Sequence, residues 1–124
     1  MIFGIGVDCA TIERVEASMQ KPHFTQRVFS EGEQALFLQR HGKRAAESAA
    51  ACFAAKEAFM KAAGVGLGGF ALQDIAALRH ESGAPYLQLS GSAAAFCEEN
   101  GLTAHLSLTH EHGMAMAFVV LSRQ

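Results

Sequence analysis

The stretch CFAAKEAFMKAAGVGLGGF, Cys52–Phe70, sets a lysine, a glutamate and a second lysine in an alanine-rich segment that ends in a run of glycines. Alanine is the strongest helix former and glycine the usual stop. The pattern therefore predicts a helix from about Ala45 to Ala63, roughly 28 Å long at 1.5 Å per residue, with Gly64 just past its end. At 100° per residue Glu57 and Lys61 are about 40° apart and share a face, as i, i+4 pairs do. Lys56 falls in the arc between Phe53 and Phe59, flanked by Cys52 and Met60, where a lysine either snorkels to solvent or meets an anion.

Upstream, IFGIGVD reads as a strand over Ile2–Val7 that delivers Asp8 at its end. Gly4 and Gly6 inside it signal close approach of another backbone or a ligand. Thr11 is placed as an N-cap for a helix through Ile12, Val15 and Met19, which Pro22 stops. Ser30–Glu33, SEGE, fits a capping box opening a helix through Leu36, Phe37 and Arg40, with Gly42 as its end. Glu33 is thus first a structural residue.

Downstream, Ile75–His80 and Tyr86–Leu89 read as strands around a turn containing Gly83 and Pro85. Ser92–Glu99 reads as a short helix ending at Gly101. AHLSLTHEHGMAMAFVVL then reads as a hairpin: His105, Ser107 and Thr109 alternate with Leu106 and Leu108, HEHG turns, and Met114–Leu121 returns as a buried strand. This order of elements predicts an α+β fold, a small antiparallel sheet packed against the long helix.

A length of 124 residues suits one domain over 1–124, and a composition of 50% hydrophobic and 18% charged residues is globular. The opening residues lack a basic signal-peptide region, and the longest apolar run is broken by Glu47, Lys56, Glu57 and Lys61, so neither a leader nor a membrane span is expected and the setting is read as cytoplasmic. Cys9, Cys52 and Cys97 have no zinc-ligand spacing and read as reduced thiols. A net charge of −2 argues against nucleic acid as a partner. The positive charge is concentrated early: residues 1–44 hold six Lys/Arg against five Asp/Glu, residues 45–124 four against seven. Arg14, Lys21 and Arg27 form a candidate surface for an acidic partner.

Asp8 at a strand and Glu57 on a helix can hold one Mg²⁺ if the fold brings them together, leaving room for water and substrate phosphates. Lys56 and Lys61 would then neutralise phosphate oxygens, beside the N–H groups of the glycine-rich loop. That loop is no P-loop, because it follows its helix and lacks the G-K-[ST] ending.

Five blocks in order resemble the holo-acyl-carrier-protein synthase family of 4′-phosphopantetheinyl transferases: GIGVDCATIERVE at 4–16, RVFSEGE at 27–33, FAAKEAFMKAAGVG at 53–66, GAP at 83–85 and HLSLTH at 105–110. The resemblance covers almost the whole chain. It implies that Asp8 and Glu57 hold Mg²⁺ and that Lys61 contacts the coenzyme A pyrophosphate and assists the leaving group. It also implies that Gly64, Pro85 and His105 line the coenzyme site, and that the protein is a homotrimer with coenzyme between neighbouring subunits. The implied reaction transfers the 4′-phosphopantetheine arm to a serine of apo acyl carrier protein and releases 3′,5′-ADP. The first helix, with Arg14, would meet the acidic carrier. The base that takes the serine proton is left open among Glu57, a metal-bound water and His105. Cys52 stands where the family commonly has arginine, with Lys43 or Arg44 as substitutes for the lost cation. The alternative is a catalytically weak homologue that binds carrier or coenzyme without transfer.

Overall fold

Two antiparallel sheets enclose one long helix in the expected α+β arrangement. The computed structural model describes residues 1–124, in the order β1 (Ile2–Thr11), α1 (Ile12–Met19), α2 (Phe24–Val28), α3 (Glu31–Leu38), α4 (Lys43–Ala63), a 3₁₀ turn (Leu72–Asp74), β2 (Ile75–Arg79), β3 (Pro85–Leu89), α5 (Gly91–Asn100), β4 (Leu102–Glu111) and β5 (Met114–Arg123). One sheet has the order β1-β5-β4; the other is the β2-β3 hairpin.

The helix α4 lies across the three-stranded sheet, and its small side chains are what let it sit so close. Ala49, Ala50, Ala54, Ala55 and Ala58 are fully buried in its core-facing side. On β1 the same logic is taken further: a Cβ on Gly4 would collide with the Ala62 carbonyl, and one on Gly6 with that of Ala58. The strand glycines admit another backbone, and α4 is that backbone.

Several boundaries differ from those the sequence suggests. β1 runs on to Thr11, because its ladder with β5 continues through Asp8↔Ala117 and Cys9↔Met116 to Thr11↔Met114. Asp8 is therefore held within a paired strand. Thr11 precedes α1 but makes no capping bond. The capping box forms as expected: the Ser30 hydroxyl accepts from Glu33 N–H at 3.1 Å, and the Ser30 N–H donates to Glu33 Oε1 at 2.9 Å. α3 stops at Leu38, and Gly42, at φ 60°, opens α4 instead of closing α3. The five-residue α2 had no signal in the sequence, being too short for periodicity to show.

At the other end of α4, Gly64 takes a left-handed φ of 76°, and the N–H groups of Gly64 and Val65 close onto the Lys61 and Met60 carbonyls. The β4–β5 connection is a tight two-residue turn, His112 and Gly113, both at positive φ (51° and 76°) as a type I′ hairpin requires. Cys52 and Cys97 are buried and Cys9 exposed, all as free thiols. No helix is long and apolar enough to cross a membrane.

Side chains alternate across the sheet. Gly4, Gly6, Asp8 and Ala10 of β1 face α4 with Ala115, Ala117, Val119 and Leu121 of β5. The other face is uncovered: Ile5 is 58% exposed, Val7 51%, Met116 44% and Phe118 44%.

Candidate active site

The contact of Gly4 and Gly6 with Ala58 and Ala62 fixes the height of α4 above β1. Glu57 and Lys61 each precede one of those alanines, so they project at the margin of the contact, over the stretch of β1 that carries Asp8. Lys61 Nζ donates to the Val7 carbonyl at 3.1 Å and lies 3.5 Å from Asp8 Oδ1. That same oxygen accepts the Cys9 N–H at 3.0 Å, which fixes the carboxylate.

Glu57 faces Asp8 directly. Burial first, then a hydrogen bond to Asp8 and the charge of Asp8, push the Glu57 carboxyl up from 4.5 to about 7, against the opposing pull of Lys61. Two carboxylates that face each other in this way share either a proton or a cation. Nowhere do three or more His, Cys, Asp or Glu side chains gather as a metal site. A two-carboxylate oxygen site fits Mg²⁺, which commonly takes one or two protein carboxylates and completes its shell with water and substrate phosphates.

Beside the pair runs a groove of about 300 Å³, lined by Glu57, Phe53, Thr11, Arg14, Ser18 and Phe24 among others. Arg14, 43 residues before Glu57 in the chain, thus opens onto the same groove. Lys21 follows α1 and Arg27 ends α2; both are exposed, on the neighbouring surface and outside the groove lining. Gly64 closes α4 three residues past Lys61.

Lys56 corrects the sequence reading. It is fully buried, its ammonium 2.6 Å from Glu33 Oε1, 2.6 Å from the Ile75 carbonyl and 3.1 Å from the Leu72 carbonyl. All three ammonium protons have partners within the fold, so none is left for a coenzyme phosphate. Glu33 is the anion it meets; its Oε2 also accepts the Ala77 N–H at 2.9 Å.

Pro85 and His105 lie apart from the carboxylate pair within one chain. Pro85 starts β3 opposite Arg79. His105 is on the uncovered face of the sheet, on β4, its Nε2 2.8 Å from Ser122 Oγ, whereas Asp8 faces α4 from the opposite edge strand.

A family model for the 4′-phosphopantetheinyl transferase superfamily matches residues 4–119. The chain belongs to this superfamily. Among curated transferases of this kind, the holo-[acyl-carrier-protein] synthase of Treponema denticola is 42% identical over 122 residues, covering 98% of each chain. That of Clostridium perfringens is 40% identical over 127 residues, covering 98% of this chain and 94% of the relative. The crystal structure of the Bacillus anthracis synthase in complex with CoA (3′,5′-ADP) superposes with a TM-score of 0.85 at 34% identity, covering 100% of this chain and 99% of the other. The Neisseria meningitidis synthase gives 0.87 at 30% identity, covering 99% and 100%.

Cys52 is buried within this transferase fold, its Sγ 3.4 Å from the Ala77 carbonyl. Burial, reinforced by the nearby Glu33 charge, pushes its thiol well above the ordinary range. It is a packing residue. Two other residues had no signal in the sequence, Arg40 and Arg79, which meet Arg44 at a second pocket. They are far apart in the chain and belong to no motif, so only their convergence in the fold reveals them.

Proposed function

We propose that the protein, as a single domain over 1–124, transfers the 4′-phosphopantetheine arm of coenzyme A to a serine hydroxyl of apo acyl carrier protein, giving holo carrier and 3′,5′-ADP, with Mg²⁺ as cofactor. The observation that carries this is the facing of Asp8 and Glu57 with Lys61 Nζ 3.5 Å from Asp8.

Asp8 and Glu57 are the residues that would hold Mg²⁺, which when bound supplies charge neutralisation on the pyrophosphate oxygens. Asp8 is anchored for that task by the Cys9 N–H. Lys61, half-exposed, reaches over Asp8 and is free to turn its ammonium to the pyrophosphate, stabilising charge on the departing 3′,5′-ADP. The serine oxygen forms its bond to the phosphorus of the arm as the pyrophosphate bond breaks. Glu57, at the edge of the groove, takes the serine proton in this reading. His105 is on the other face of the same chain's sheet and serves coenzyme binding in this reading.

Carrier docking is assigned to Arg14, with Lys21 and Arg27 extending the cationic surface, since Arg14 opens onto the groove that leads to Glu57. A homotrimer is supported by the uncovered face carrying Ile5, Val7, Met116 and Phe118, an apolar patch suited to another copy. Coenzyme bound between copies would meet the carboxylate pair of one and His105 of the next.

The test is the intact mass of apo acyl carrier protein after incubation with the protein, coenzyme A and Mg²⁺, beside a reaction with EDTA. A metal-dependent gain of one phosphopantetheine arm is expected. No gain with coenzyme A bound would leave the binding-only homologue as the correct reading.

A further inference from the structure

The Asp8 carboxylate is asked to serve two cations. Its Oδ1 accepts the Cys9 N–H at 3.0 Å and has the Lys61 ammonium 3.5 Å away, and Lys61 Nζ also donates to the Val7 carbonyl at 3.1 Å. The Asp8 side chain is 19% exposed and tied to its own strand, whereas that of Lys61 is 50% exposed on a flexible stem. Asp8 is thus the fixed member of the pair and Lys61 the movable one.

Lys61 is also the one cation that pairs with either carboxylate. The other ion pairs of the chain join Lys56 to Glu33 and His110 to Glu47, and Arg14, though it opens onto the groove beside Glu57, pairs with neither acid. With Lys61 in place, the two carboxylates offer a net single negative charge where a dication needs two.

A Mg²⁺ held by Asp8 Oδ1 at its usual 2.0–2.1 Å would stand within about 5.6 Å of that ammonium. That is well inside the distance at which salt screens charge. The two cations repel, and occupation of the carboxylate by one disfavours the other. A pyrophosphate changes the balance: a negative charge on each phosphorus gives the ammonium a stronger partner than the Val7 carbonyl and a carboxylate it must share.

We propose that Lys61 makes metal binding conditional on the coenzyme. Its ammonium competes with the divalent cation for the Asp8 carboxylate, and a bound pyrophosphate draws it away, so that the metal is held tightly once the coenzyme is in place. By linkage, the metal favours the coenzyme to the same degree. The proposal rests on the Mg²⁺ and coenzyme A reading above and adds to it the order in which the site is completed.

The test is Mn²⁺ binding to the full-length protein, followed by the free-ion signal in electron paramagnetic resonance, Mn²⁺ sharing the oxygen-ligand preference of Mg²⁺. The unaltered protein is compared with Lys61→Met and with the charge-keeping Lys61→Arg, each alone and with coenzyme A. No carrier is present, so no transfer occurs; calorimetry shows that the coenzyme saturates each protein, and coenzyme with Mn²⁺ alone is the blank. Without coenzyme, Lys61→Met should bind Mn²⁺ about tenfold more tightly than the unaltered protein, the scale of a dication–ammonium repulsion at that range in a water-like medium. Lys61→Arg should resemble the unaltered protein. With coenzyme A bound, the difference between Lys61→Met and the unaltered protein should disappear.

Thermal melting checks that the variants fold, with Lys61→Gln replacing Lys61→Met if that one does not. Equal Mn²⁺ affinities without coenzyme would overturn the proposal and leave the transfer reading standing. A tenfold difference that persists with coenzyme bound would also overturn it, since Lys61 would then be a constant charge and not one that moves. Mn²⁺ bound by neither protein, with or without coenzyme, would sink the metal reading and the proposal with it.

Discussion

Lys56 and Glu33 form a fully buried ion pair, 2.6 Å between Nζ and Oε1, that joins α4 to the start of α3 and, through the Ile75 carbonyl and Ala77 N–H, to β2. Its groups have no unmet partner, and no buried side-chain nitrogen or oxygen in the protein lacks one. The pair fixes where the β2–β3 hairpin sits on the long helix, and so where Arg79 points.

Removing one partner strands the other charge in the core. Lys56→Met should therefore destabilise the protein by about 3–5 kcal/mol, read from urea unfolding. Unchanged stability with weakened coenzyme binding would instead return Lys56 to the ligand site.

Gly6→Ala should be among the most damaging single-methyl changes, since the added Cβ meets the Ala58 backbone, which cannot step aside as a side chain would. A loss of about 3 kcal/mol or more is expected, measured as a fall in the unfolding midpoint. A near-neutral result would mean that α4 does not pack on β1 as described.

Glu57 makes the metal-free protein pH-sensitive. Its folded value of about 7 lies above the ordinary 4.5, so between those values the folded state holds a proton that the unfolded state has released. Stability should decline as pH rises from about 4.5 to about 7 and level off above. Unfolding curves at pH 5 and 8 should show this contribution in the unaltered protein and its absence in Glu57→Gln. Added Mg²⁺ should offset the loss at pH 8; an equal slope in the variant would assign the effect elsewhere.

Lys61→Ala should leave the fold intact, because the side chain is half-exposed, and lower single-turnover transfer by about 10²–10³-fold, as loss of one charge-stabilising donor does. An unchanged single-turnover rate would remove Lys61 from the chemistry.

Arg14→Glu should raise the carrier KM most at low salt, the difference shrinking as ionic strength screens the surface charge. An effect of equal size at all salt concentrations would point to a structural defect.

The site was legible in part because its residues obey local rules. Glu57 and Lys61 share a helical face by spacing alone, and Asp8 follows the two strand glycines. Lys56 was misplaced for a physical reason: an apolar arc shows that a lysine needs an anion, but not whether that anion is a ligand or a residue 23 positions earlier. Glu33 was recognised from its cap, a local bond; its second bond, to Ala77, spans 44 residues and leaves no local trace.

The sequence by itself determined the elements whose signals are short-ranged: the alanine-rich α4 and its Gly64 stop, the Ser30–Glu33 box, the β2–β3 turn and the β4–β5 hairpin. Spacing, capping and turn chemistry act within a few residues and can be read from them. Only the tertiary structure decided that β1 runs past Asp8, that the glycines face a helix backbone, that Lys56 is spent on Glu33, and that Arg40, Arg44 and Arg79 converge. Those outcomes depend on ladders, burial and charge meeting across long loops, where the deciding partner is distant in sequence.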